Sequence, residues 1–128
     1  MTKLRLLPLL LGLAGCAAPA PDRVSDEAAL ETELAGRTAG PPTDCVDGDT
    51  QERLIVAAPG VLAVRRGGTI WISRLDPACR YIAPLDTLII EAHESRYCRG
   101  DRVRGLEQGA SIPGPSCGIE AFTPYRAP

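Results

Sequence analysis

VLAVRRGGTIWISRL, residues 61–75, holds two β-branched, apolar runs on either side of a Gly-Gly pair. Adjacent glycines supply the positive φ that a two-residue β-turn needs, so Gly67-Gly68 between such runs predicts a tight hairpin. In that register Arg66 opposes Thr69, Val64 opposes Trp71 and Leu62 opposes Ser73. Side chains alternate along a strand, so Leu62, Val64 and Trp71 share one face, while Val61, Ala63, Ile70 and Ile72 share the other. A hairpin that is apolar on both faces has to be covered on both. The stretch therefore predicts a small barrel or a folded-over sheet.

The same punctuation extends outward. RLIVAA (53–58) runs into Pro59-Gly60, DTLIIEA (86–92) is a further strand, DRVRGLE (101–107) a weaker one, and GIEAFT (118–123) a last short edge. Turns fall at Asp76-Pro77, Gly100-Asp101 and Pro113-Gly114-Pro115. About two dozen large apolar residues between Val46 and Tyr125 suffice for one modest core, and no internal repeat is present. Residues 44–128 thus form one small, mainly β domain, an antiparallel sheet or barrel.

The N-terminus has a different character. Lys3 and Arg5 precede an apolar run, Leu6–Leu13, broken by Pro8 and Gly12, which is the layout of a secretory signal peptide over residues 1–15. The run is far short of the roughly 20 apolar residues that a membrane-spanning helix requires. Leu13-Ala14-Gly15-Cys16 resembles the bacterial lipobox, which implies cleavage before Cys16 and acylation of that cysteine. Ala17, where an inner-membrane retention signal would place Asp, points to the outer membrane, facing the periplasm. Each buried methylene contributes about 0.8 kcal/mol, so two or three acyl chains would hold the protein on the membrane. Residues 16–43, with AAPAPDR and GRTAGPPTD, are rich in Pro, Ala and Gly and read as a flexible tether. Within it Ser25 would cap a short helix, DEAALETELA, whose Leu30 and Leu34 lie four residues apart. That helix is too short to be stable alone, so either Leu30 and Leu34 dock on the domain or the segment is a frayed spacer, the spacer being the favoured reading.

With Cys16 lipidated, four cysteines remain in an oxidising compartment: Cys45, Cys79, Cys98 and Cys117. An even number predicts two disulfides, with three possible connectivities. Cys79 with Cys98 and Cys45 with Cys117 is the favoured arrangement, the first closing one strand pair and the second tying the start of the domain to its finish. Zinc sites usually bring ligands in tight C-x-x-C or H-x-x-x-H pairs. Here the nearest cysteines are far apart and His93 is the only histidine, so neither a metal nor another cofactor is expected.

Formal net charge is −2, and loss of Lys3 and Arg5 would take it to −4, which argues against a nucleic-acid partner. RLDPACRYI, YCRGDRV and PSCGIEAFTPY resemble, in that order, segments of an uncharacterised family of small proteobacterial lipoproteins, over residues 45–125. The shared features are a Cys after the hairpin, a Cys-x-Gly-Asp, and a Ser-Cys-Gly followed by Phe-Thr-Pro-Tyr. The resemblance implies a small secreted domain and transfers no catalytic residue.

Candidate chemistry is sparse. On a strand His93 and Ser95 would share a face while Glu94 points away, so this trio does not form a nucleophile relay. Arg96, Arg99, Arg102 and Arg104 surround Cys98 and are the candidate contacts to an anion or partner, as bidentate donors to phosphate or carboxylate. Their bland alternative is a solvated face with weak internal ion pairs. Asp44, Asp47 and Asp49 lack the Gly and Glu positions of a calcium loop. No catalytic residue is expected. The composition points to a membrane-anchored, non-enzymatic binding or envelope-structure module, with an envelope protein or glycan as partner. The alternative is an inhibitor of a cell-wall-lytic enzyme such as lysozyme, inserting the Ser95–Asp101 loop.

Overall fold

The hairpin forms as expected. In the computed structural model, which describes Gly15 and residues 23–48 and 53–128, the strands here labelled β4 (Val61–Arg66) and β5 (Thr69–Arg74) pair with Val64 opposite Trp71 and Leu62 opposite Ser73. Gly67, at the first turn position, has φ +54°, the requirement of a type II′ turn. Residues 1–14 of the expected signal peptide, and Cys16, lie outside the described residues.

Among the described residues, eight further short strands and one α-helix join β4 and β5: α1 (Arg23–Leu34), β1 (Thr38–Ala39), β2 (Cys45–Asp47), β3 (Ile55–Ala58), β6 (Thr87–Glu91), β7 (Arg96–Cys98), β8 (Arg102–Leu106), β9 (Cys117–Gly118) and β10 (Thr123–Arg126). Three antiparallel sheets result, ordered β1-β10-β5-β4-β3, β2-β7 and β6-β8-β9.

The two apolar faces of the hairpin are covered by different partners. Leu62 and Val64 join Val46, Val56, Val103, Ile119 and Phe122 in the main core, between the five-stranded sheet and the two smaller sheets. Val61, Ala63, Ile70 and Ile72 form a second cluster on the far face, closed by Leu30 of α1. Ala58 and Ala63, both fully buried, keep that face low enough for a helix to lie on it.

Residues 26–35 are therefore not a frayed spacer. Leu30 is buried at 3 % exposure and Leu34 packs beside it. Glu33 accepts two hydrogen bonds from the Arg65 guanidinium, both 2.6 Å. The helix begins at Arg23, ahead of the expected cap Ser25. Burial of one leucine stripe gives a short amphipathic helix the stability it lacks alone. Thr38 and Ala39 then pair with Arg126 and Tyr125, so the ordered domain starts well before residue 44.

The C-terminus also departs from expectation. GIEAFT is not one edge strand. It divides into β9, which pairs with β8, and the start of β10, which lies inside the five-stranded sheet between β1 and β5. Pro124 has no N–H to give a ladder, yet its carbonyl accepts from Gly40 N–H at 2.8 Å. A Cβ on Gly40 would stand 2.8 Å from the end of the Arg126 side chain and 3.1 Å from the Pro124 ring, so β1 and β10 approach closely at this position.

Both disulfides form, but with the other partners: Cys45 with Cys98 and Cys79 with Cys117. The polar run TDCVDGD becomes β2, which pairs with β7 so that Cys45 lies directly across from Cys98, with Cα atoms 4.0 Å apart. Cys79 closes a 3-10 turn, Pro77–Cys79, whose first N–H group is capped by Asp76, and it meets Cys117 inside the main core.

Candidate functional site

Among the edge strands of the three sheets, β3 and β6 line one groove. β3 pairs only with β4, and β6 only with β8, among the described residues. Between them runs a groove of about 830 Å³, walled by Leu54, Ile55 and Val56 on one side and by Leu88 and Ile90 on the other. Gly48 and Tyr97 form its far end. Ile55 and Val56 are successive residues of β3 and point to its opposite sides, whereas Leu88 and Ile90, two apart on β6, share one face. The rim carries charges of both signs, Arg53, Asp86, Glu94 and Arg96. Arg96 Nε is 3.1 Å from Asp47.

Two backbone outliers sit on the same rim. Leu85 has φ +75° and Glu94 φ +65°. Ala83-Pro84-Leu85-Asp86 is a turn closed by Asp86 N–H donating to Ala83 C=O at 3.1 Å, with proline second and a positive φ third, where glycine would ordinarily stand. Asp86 reinforces it, its carboxylate accepting from Ala83 N–H at 3.0 Å. Leu85 is nonetheless 79 % exposed. An exposed, bulky side chain in the left-handed region costs energy and repays none through packing, which is the pattern of a functional position.

The four candidate arginines are not brought to one site. Arg102 and Arg104 lie on the outer face of β8, opposite Glu91 and Ile89, and Arg102 Nε donates to Ser116 Oγ at 2.8 Å. Arg96 is on β7, paired with Asp47. Arg99 borders a separate depression of about 470 Å³ with Arg74, Asp76, Glu120 and Tyr125, where cations and anions alternate. Of the three aspartates weighed for calcium, Asp44 accepts Arg99 N–H through its backbone carbonyl, Asp47 is in the ion pair, and Asp49 lies outside the described residues.

His93 does find a carboxylate, though not Glu94. Its Nδ1 lies 3.2 Å from Asp101 Oδ1, while Asp101 Oδ2 accepts from Cys98 N–H at 2.8 Å. The histidine is 91 % exposed and the aspartate almost wholly buried. No hydroxyl or thiol among the described residues hydrogen-bonds the imidazole, and Asp101 links His93 to the β7–β8 turn. The Ser95–Asp101 loop weighed for insertion is correspondingly held, by β7, the Cys45–Cys98 bond and Asp101.

Tyr81 anchors the turn at residues 113–115. Its hydroxyl donates to the Pro115 carbonyl, and Gly114 lies against its ring. Desolvation raises its pKa, the Arg104 charge opposes that, and Asp86 adds to it. Sequence reasoning identified β6 as a strand but not that its outer edge stays open, nor that β3 would face it. The one available signal was Pro84-Leu85-Asp86, a turn triplet with leucine where glycine belongs.

No group of three or more His, Cys, Asp or Glu among the described residues is placed to hold a metal ion, and no described helix is long and apolar enough to cross a membrane. No protein-family model, curated protein or solved structure matches the chain.

Proposed function

We propose that the protein is a lipid-anchored, periplasm-facing binding module of the outer membrane, and that its groove receives an extended segment of an envelope protein. The observation that carries the reading is one apolar groove lined by residues of two edge strands, β3 and β6. An unpaired strand edge offers alternating N–H and C=O groups that a third extended chain satisfies, while apolar walls take every second side chain of that chain. β6 has no proline, lysine or bulge to blunt its edge, and Ile89 on it is 39 % exposed. The anchor is supported by Leu13-Ala14-Gly15-Cys16 behind a charged and then apolar leader.

Two experiments test the two halves. The intact mass of protein extracted from membranes, alkylated before and after reduction, should show acylated Cys16 and four alkylations appearing only after reduction. A photo-crosslinking amino acid at Ile55 should capture a polypeptide in intact cells, and the same label at Arg37, away from the groove, should not. Capture of glycan alone, or equal capture at both positions, refutes the polypeptide reading.

A further inference from the structure

The most exposed apolar side chains of the domain crowd the end from which the tether leaves it. At the start of α1, Glu27 lies 3.5 Å from Arg80, and Arg80 stands against Gly60 in the β3–β4 turn. At the other end of the helix, Arg37 donates to the Gly68 carbonyl at 2.9 Å, beside the β4–β5 turn. The two ends are separated by the length of β4, six residues or roughly 20 Å.

Leu85 and Ile112, 79 % and 83 % exposed, both belong to the first end. Leu85 follows Ile82, whose carbonyl accepts Gly60 N–H at 2.8 Å. Ile112 lies in the connection leaving β8 at Leu106, which pairs with Thr87 just beyond the Leu85 turn. That connection returns through Gly114, whose N–H donates to Gly105 C=O at 2.9 Å, and through Pro115, bonded by Tyr81. The other exposed large apolar residues, Ile55 and Ile89, are half as exposed and lie on the flanks.

Chain length supplies the second argument. Cys16 and Arg23 are seven residue steps apart, a reach of at most roughly 25 Å. With Cys16 acylated, the start of α1 is held within that distance of the lipid headgroups, and Leu85 and Ile112 are at the end of the domain where α1 starts. We infer that these two side chains insert into the interfacial region of the leaflet that holds the acyl chains, so that the domain stands on the membrane with its groove opening sideways. This orientation rests on the lipid-anchor reading above. Leu85 keeps its left-handed backbone because the turn aims an apolar side chain outward, where lipid rather than protein receives it.

The test uses the full acylated chain, its intact mass read first, in vesicles of phosphatidylethanolamine and phosphatidylglycerol containing a bromine-labelled lipid. Trp71 is the only tryptophan, so in a Trp71→Phe background single reporters can be placed by Leu85→Trp, Ile112→Trp or, at the far end beside Gly68, Ala127→Trp. Emission from positions 85 and 112 should shift to the blue and be quenched by the bromolipid, while that from position 127 should not. As a check without substitutions, amide exchange in residues 83–86 and 107–116 should slow on vesicles, with no change around Gly67-Gly68. An unacylated mass overturns the anchor and this orientation with it. An acylated mass with equal quenching at all three positions, or with none at 85 and 112, overturns the orientation alone.

Discussion

Replacing Leu30 by alanine tests whether α1 is part of the domain. Leu30 is 3 % exposed and closes the cluster of Ala58, Val61, Ala63, Ile70 and Ile72. Truncation removes three carbons from that contact, about 2.4 kcal/mol at about 0.8 kcal/mol per methylene. A cavity term adds to this, and core Leu→Ala changes span about 2–5 kcal/mol. The helix has one layer of sheet beneath it and solvent behind, so it can settle into part of the space. A loss of about 2.5–3 kcal/mol follows. Urea unfolding followed by Trp71 fluorescence gives the stability difference, and backbone amide exchange within α1 gives the local one. Leu34→Ala, at a half-buried position on the same stripe, should cost roughly half as much. If Leu30→Ala changes stability by less than about 0.5 kcal/mol and leaves exchange in α1 unaltered, the second cluster is not held by the helix and the reasoning fails.

Ser73→Ala should cost about 1–3 kcal/mol, because the fully buried hydroxyl donates to Glu120 C=O at 2.8 Å and accepts Glu120 N–H at 3.1 Å, and both groups would lose their partner. Thermal unfolding reads it. The hydrogen bonds from Arg65 lower the pKa of Glu33, against a smaller opposing effect of burial, so its carboxylate stabilises the fold above its unfolded pKa and the benefit disappears as pH falls through the lowered one. Both side chains are more than a third exposed, which limits the effect to about 0.5 kcal/mol. Glu33→Gln should therefore be slightly less stable than wild type at neutral pH and equal to it in strong acid. Leu85→Gly relieves about 1–2 kcal/mol of left-handed strain and gives back about 0.5–1 kcal/mol to the unfolded chain, so its denaturation midpoint should match or exceed that of wild type. Removing Cys79–Cys117 by a double alanine substitution frees a loop of 38 residues and should cost about 4 kcal/mol by chain entropy, seen as a fall in the unfolding midpoint.

What the sequence revealed was whatever a local period could encode. The β4–β5 register follows from Gly67-Gly68 and the alternation around it, and the two-sided burial follows from the same residues. β6 and β8 were visible for the same reason. β1, β2 and β7 were not: they are two or three residues long, and TDCVDGD looks like a polar loop until β7 pairs with it. The Cys45–Cys98 bond depends on that hidden pairing, so closing a visible strand pair and tying the start of the domain to its finish pointed to the wrong partners. For Leu30, local propensity favoured a spacer, and only the apolar far face of the hairpin, read as needing a cover, hinted at what the helix does. The groove is a relation between the edges of two different sheets, which no single stretch of sequence carries.

The strand order has a consequence for how the chain is made. β10, the last strand, lies between β1 and β5, so the five-stranded sheet cannot close until residues 123–126 have emerged. β3, β4 and β5 can assemble as a meander long before that, and Cys45 must wait 53 residues for its partner Cys98. Throughout that interval the flank of β5 is bare and Ile70 and Ile72 lack a neighbour on one side. A chain delivered N-terminus first thus carries a sticky, half-built sheet until its final few residues arrive, and a nascent chain stalled short of Thr123 would be a far better substrate for chaperones and proteases than one stalled just after Arg126.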